Sequence, residues 1–213
     1  MNALILVIIL AIVEGITEFL PVSSTGHMIL VNKLIGGEYL SPTFTNSFLI
    51  IIQLGAILSV VVYFWKDLTP FVGTKEKFVL RFRLWVKIIV GVIPAMVIGL
   101  FLDDIIDKYF MDNVTTIAIT LIVYGIIFIA IEVIYKIKNV KARVRKFSEL
   151  KYGTAFLIGF FQCLAMIPGT SRSGATIIGA LLLGLSRPLA AEFSFYLAIP
   201  TMFGATALKL FKN

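Results

Sequence analysis

The chain has 213 residues, 59% hydrophobic and 15% charged, with a mean hydropathy of +1.00. That is too apolar and too weakly charged for an ordinary soluble domain, and the opposite of a disordered chain. A single cysteine, Cys163, excludes a disulfide scaffold. The formal charge of +7 reads as cytoplasmic loops under the positive-inside rule before it reads as a nucleic-acid surface. Apolar runs continue to the C-terminal end, so a soluble protein behind a cleaved leader is not expected.

Residues 1–40 do not read as a simple span. The apolar stretch Leu4–Ile35 is broken by Pro21 and carries Glu14, Thr17, Glu18, Ser23, Ser24, Thr25 and His27. Phe44–Trp65, Leu84–Leu102 and Val114–Tyr135 follow, each long enough to cross a bilayer, which takes about 20 residues. Residues 150–186 repeat the irregular pattern. Pro168-Gly169 breaks an apolar run that carries Thr170, Ser171, Arg172 and Ser173. A fourth span, Leu189–Phe211, closes the sequence. Pro94 and Pro200 lie inside two spans, where neighbouring groups can satisfy the freed carbonyls.

Each irregular region has two apolar arms around a polar, glycine-bearing centre. The economical reading is a re-entrant helical hairpin whose tip sits at membrane depth. The loops Lys66–Arg83 and Lys136–Lys151 are basic, whereas Asp103, Asp104, Asp107 and Asp112 make the intervening loop acidic. The basic loops are then cytoplasmic, and the two hairpins enter from opposite faces. Ala11–Ile29 (AIVEGITEFLPVSSTGHMI) and Gly159–Ile177 (GFFQCLAMIPGTSRSGATI) are also alike. The predicted fold is an all-α membrane bundle of one domain, with an inverted-topology repeat whose site lies between the halves.

Several residues in these tips carry chemistry. Glu14 and Glu18, four apart, share a helix face and repel when both are ionised. A hard divalent cation, Mg²⁺ or Ca²⁺, resolves the conflict. The bland alternative is a buried pair with one carboxyl protonated and bonded to Thr17. His27, the only histidine, follows Ser24 by three positions, the spacing for a base acting on a hydroxyl nucleophile. A neutral imidazole donating to a carbonyl is the plainer reading. Arg172 stands alone in an apolar run, and guanidinium suits phosphate oxygens. Alternatively it neutralises Glu14 or Glu18. Both tips open helices, whose N-termini favour anions. Ser23, Thr25 and Gly26 in one tip, with Gly169, Thr170, Ser171 and Ser173 in the other, complete a phosphate cradle. Gln53 either lines the cavity or bonds a neighbouring helix.

The run from Glu14 to His27 (EGITEFLPVSSTGH) and the run Pro168–Thr176 (PGTSRSGAT) resemble the two signature motifs of the bacterial undecaprenyl pyrophosphate phosphatases, the bacitracin-resistance (BacA-type) family. Similarity extends through Ile51–Gly55, Ala191–Phe195 and Gly204–Leu208. The resemblance implies a multi-pass enzyme of the bacterial plasma membrane that removes the terminal phosphate of a polyprenyl pyrophosphate, recycling the wall-synthesis carrier and giving bacitracin resistance. It implies a divalent cation, a site open to the external face, and roles for Glu14, Glu18, Ser24, His27 and Arg172. A homodimer is compatible with it, and nucleic acid is not an expected partner. Family members continue into further membrane helices beyond the position of Asn213. The rival reading is a polyprenyl-phosphate transporter or flippase using the same phosphate site. A weaker third is a structural membrane subunit.

Overall fold

The structure is a computed structural model and describes residues 3–35, 42–110, 114–167 and 169–212. The chain begins with two antiparallel helices, α1 (Ala3–Thr17) and α2 (Ser24–Leu34), joined by a tight turn. α1 stops shortly before Pro21, as the residue preceding a proline disfavours helical backbone. α2 starts at a serine cap: Ser23 Oγ accepts the Gly26 N–H at 3.3 Å. α3 (Pro42–Tyr63) and the single turn α4 (Trp65–Leu68) follow, then the long α5 (Lys75–Phe110) and α6 (Val114–Ile137).

The second half repeats the motif. α7 (Tyr152–Cys163) runs into a 3₁₀ turn at Leu164–Met166, and α8 (Arg172–Leu182) returns. Its cap is again a serine, with Ser171 Oγ accepting the Gly174 N–H at 3.0 Å. α9 (Arg187–Lys212) ends the described chain. Among the described residues no strand forms. One isolated bridge, Val144 to Leu185, ties the basic loop to the α8–α9 turn.

α5 and α7 cross so closely that a Cβ on Gly159 would strike the Gly91 carbonyl and Pro94. Small residues permit this approach of two backbones. α9 lies against α3, α5 and α8, and fully buries Phe193, Tyr196 and Leu197. A second cluster, around Leu6, Leu10 and Met28, holds α1 and α2 together.

Lys75–Leu102 and Thr115–Ile137 are long and apolar enough to cross a membrane. α6 turns Ile122, Ile126 and Ile129 outward. An outer surface of isoleucine needs hydrocarbon, not water, as solvent. The chain thus has the build of an all-helical membrane protein.

One boundary differs from expectation. The sequence predicts a third apolar segment at Leu84–Leu102 between charged loops, whereas α5 is continuous from Lys75 to Phe110. Lys75, Lys77, Arg81 and Arg83 are therefore helical, as is the backbone at Asp103, Asp104 and Asp107. Lysine, arginine and glutamate are good helix formers, so charge marks where an apolar layer ends and not where the helix ends. Asp112 and Pro168 lie outside the described residues. Gly184 has φ +92° and terminates α8.

Candidate active site

The last turn of α1 carries Glu14, and the turn that follows carries Glu18. The Glu18 N–H donates to the Glu14 carbonyl at 2.9 Å, which extends the helical spacing by one residue and stacks the two side chains on one face. Glu14 is fully buried, and neither of its carboxyl oxygens has a hydrogen-bond partner among the described residues. The Thr17 hydroxyl makes no bond to it and donates instead to the Val13 carbonyl at 2.6 Å. Ser23 adopts φ +62°, ψ +94°, a region that L-residues rarely occupy. Such strain costs about 1–3 kcal/mol and persists only where surrounding bonds impose it. Here the Ser23 carbonyl accepts the His27 N–H at 3.1 Å.

The second turn is seated on α6. Gly169 has φ +87°, and a Cβ there would strike the Thr120 side chain and the Ile117 backbone. Only glycine meets both demands.

The two turns touch. Arg172 Nη2 lies 2.7 Å from Glu18 Oε1, and Ser24 Oγ donates to Glu18 Oε2 at 2.5 Å. Ser173 Oγ reaches back to the Leu20 carbonyl at 3.2 Å and lies 3.1 Å from Ser171 Oγ. Glu18, Ser24, Ser171 and Ser173 are all buried. A buried ion pair with further hydrogen bonds on each partner holds one geometry. The anticipated neutralisation of a glutamate by Arg172 thus falls on Glu18.

A cavity of about 520 Å³ opens at this junction. One wall is Glu18, Ser23, Ser24, Thr25 and Gln53; the facing wall is Thr170, Ser171, Arg172 and Ser173. Arg172 is the only lining cation among the described residues. Gln53 Nε2 donates to Thr25 Oγ1 at 3.3 Å, so it serves both as lining and as a link between helices. Most of the remaining lining is apolar, with Val92, Met96, Leu100, Met166, Met202 and Leu208. Glu14, Gly26, His27 and Gly169 do not line the cavity. His27 Nδ1 lies 2.9 Å from the Ser23 carbonyl. A carbonyl only accepts, so Nδ1 carries a proton, which leaves Nε2 as the ring nitrogen that can exchange one. No hydrogen bond joins His27 to Ser24 among the described residues; the Ser24 hydroxyl is engaged by Glu18.

Four polar residues at the site were not singled out from sequence. Gln162 is buried on α7, lines the cavity and donates to Thr201 Oγ1 at 3.1 Å. Ser194 Oγ lies 2.6 Å from Thr176 Oγ1, and the Ser194 carbonyl accepts from Arg172 Nη1 at 3.5 Å. Gly99 is part of the cavity wall. The only available signal was polarity within an apolar helix, which packing contacts produce as well.

Among the described residues no three His, Cys, Asp or Glu side chains gather as a protein-only metal cage. Two adjacent carboxylates, one of them orphaned, are nonetheless a donor set of the kind Mg²⁺ uses together with substrate phosphates.

Comparison with known proteins decides the family. The model for bacitracin resistance protein BacA matches residues 7–213. The chain belongs to the BacA family. The undecaprenyl-diphosphatase of Fusobacterium nucleatum subsp. nucleatum is 85% identical over 208 residues, covering 98% of this chain and 78% of that protein. Undecaprenyl-diphosphatase 1 of Clostridioides difficile (strain 630) is 56% identical, covering 96% and 73%. The undecaprenyl-diphosphatase of Acetivibrio thermocellus is 53% identical, covering 100% and 77%. Both motifs of this BacA-family chain therefore fall inside the matched region.

Proposed function

We propose that this chain hydrolyses undecaprenyl pyrophosphate to undecaprenyl phosphate and phosphate, recycling the carrier lipid used in wall synthesis. The observation that carries the reading is the Arg172–Glu18–Ser24 chain, which brings a guanidinium, a carboxylate and a hydroxyl to one cavity with a polar end and an apolar wall. The pyrophosphate takes the polar end, and the prenyl tail lies along Met96, Leu100, Met166 and Leu208. Membership of the family and the names of the relatives support the same substrate.

In this mechanism Arg172 and the N-terminal N–H groups of α2 and α8 hold the charge that grows on the phosphoryl oxygens. Ser24 Oγ attacks the terminal phosphorus as its proton passes to Glu18 Oε2, already in contact with it. The anhydride P–O bond breaks and undecaprenyl phosphate departs. Water then cleaves the phosphoserine: His27 Nε2, its Nδ1 held by the Ser23 carbonyl, accepts the proton of the water, Glu18 returns its proton to Ser24 Oγ, and phosphate leaves. Glu14 and Glu18 would hold a divalent cation, which neutralises phosphate charge when bound.

The two helix–turn–helix units act as re-entrant hairpins in an inverted repeat. They enter from opposite faces of the bacterial plasma membrane, with the site open to the external side. The matching serine caps, Ser23 and Ser171, support the repeat. The test is phosphate release from undecaprenyl pyrophosphate by the purified chain. A carrier that only moved the lipid would release none, and loss of Ser24 would leave its transport intact.

A further inference from the structure

A second cavity, of about 1010 Å³, lies at the end of the bundle that carries the basic loops. Its walls bring together Lys77, Arg81, Arg83 and Lys87 of α5 with Lys146 and Lys151 of the loop before α7. Three carboxylates also line it, and two are engaged elsewhere. Glu149 accepts the backbone N–H groups of Arg145 and Lys146 at 2.8 and 3.3 Å, and Glu192 accepts the Tyr196 hydroxyl at 2.6 Å. The third, Asp67, sits in the first turn of α4. The ion pairs found among the described residues are Glu18–Arg172 and Glu132–Arg187, and neither uses any of the six cations.

A basic face that merely met water would keep its charges exposed. Lys87 does the reverse. It is only 6% exposed, and its Nζ donates to the Phe147 carbonyl at 2.6 Å and lies 5.6 Å from the centre of the Tyr152 ring. A carbonyl and a ring orient an ammonium without cancelling its charge. The N-terminus of α7 opens on the same space. Its cap residue, Lys151, makes no side-chain cap bond, and its first turn has no acidic residue. No acidic residue of its own first turn offsets its positive dipole end. Alongside, Phe78 and Phe82 stack on the exposed face of α5, 6.3 Å between ring centres. Cations above an exposed apolar strip match a phosphate with acyl chains attached.

We propose that this cavity binds the phosphate group of an anionic phospholipid, a site distinct from the one that cleaves the substrate. The proposal rests on the membrane reading above. Lys87 and the α7 N-terminus hold the phosphate, Arg83 and Lys146 close over it, and the chains lie along Phe78 and Phe82.

The test is a titration of the purified chain in neutral detergent with short-chain phosphatidylglycerol, read by native mass spectrometry. Phosphatidylcholine and inorganic phosphate form parallel arms. Phosphatidylglycerol should bind at least about tenfold more tightly than phosphatidylcholine, and millimolar phosphate should displace it. The double variant R83Q/K146Q alters exposed side chains. It should weaken phosphatidylglycerol binding by about tenfold or more, with phosphate release from the pyrophosphate substrate unchanged. K87M should weaken it further, and circular dichroism checks its fold. Equal binding of the two lipids, or wild-type binding by R83Q/K146Q, overturns the proposal. Binding of inorganic phosphate without phosphatidylglycerol overturns the lipid assignment. Because the readout is binding, failure here leaves the hydrolytic reading untouched.

Discussion

Glu18 Oε1 and Arg172 Nη2 stand 2.7 Å apart although 154 positions separate them in the chain. The pair welds the two turns, and the same carboxylate holds the Ser24 hydroxyl through its other oxygen. One carboxylate therefore positions both the guanidinium and the Ser24 hydroxyl.

Replacing Arg172 with alanine leaves a buried carboxylate unpaired, at a cost of about 3–5 kcal/mol. We expect R172A and E18A to lose phosphate release altogether. R172K keeps the charge but not the planar fork, so it should stay folded and still release poorly. Release rates and thermal unfolding in detergent, measured together, separate the two effects. Near-normal release by R172A contradicts the assigned role.

Ser24 and His27 are expected to differ in degree. In the proposed mechanism S24A removes the attacking oxygen and should reduce release to background. H27A removes only a proton acceptor, an effect of about 10²–10⁴-fold. Single-turnover release from both variants is the measurement, and equal retention of activity by S24A would rule out attack by serine.

The glycines offer a structural test. G169A meets both a positive φ and the α6 backbone, and should destabilise the fold by about 1–3 kcal/mol while displacing the Arg172 turn. Gly15 has nothing within reach of an added Cβ and sits within α1, so G15A should stabilise by roughly 0.5–1 kcal/mol. Paired melting curves decide. A G169A curve that overlays the wild type would be the wrong outcome.

Glu14, Glu18 and Arg172 were legible in the sequence because charge inside an apolar run is rare and costly. The serine caps were legible as a Ser-rich Gly turn preceding each second arm. Gln162, Ser194 and Thr201 were not, because one polar side chain on an apolar helix looks the same whether it lines a cavity or bonds a neighbour. The pairing of Ser24 with Glu18 rather than His27 was equally hidden. Spacing along the helix brings His27 near Ser24, but the carbonyl of Ser23, in its left-handed conformation, takes up Nδ1. The extent of α5 was misjudged because a charged turn can be a helix as readily as a loop.

The basic loop has its own pH dependence. The Arg145 N–H beside Glu149 holds its carboxyl below the usual carboxylate range. A depressed folded value contributes stability that is fully present above the unfolded value of about 4.3 and lost as pH falls through the folded one. Hydrogen-exchange protection at Arg145 and Lys146 should hold from neutrality to about pH 5 and fall only below about pH 4. Loss of protection between pH 7 and 5 would show that Glu149 does not hold this turn.

The most direct test is phosphate release from undecaprenyl pyrophosphate by the purified chain, with and without a chelator, beside R172A. Release by the wild type, stopped both by the chelator and by R172A, is the expected result. Release that persists in R172A, or none from wild type reconstituted in lipid with Mg²⁺ and Ca²⁺ supplied in turn, contradicts a phosphatase built on the Arg172–Glu18–Ser24 junction.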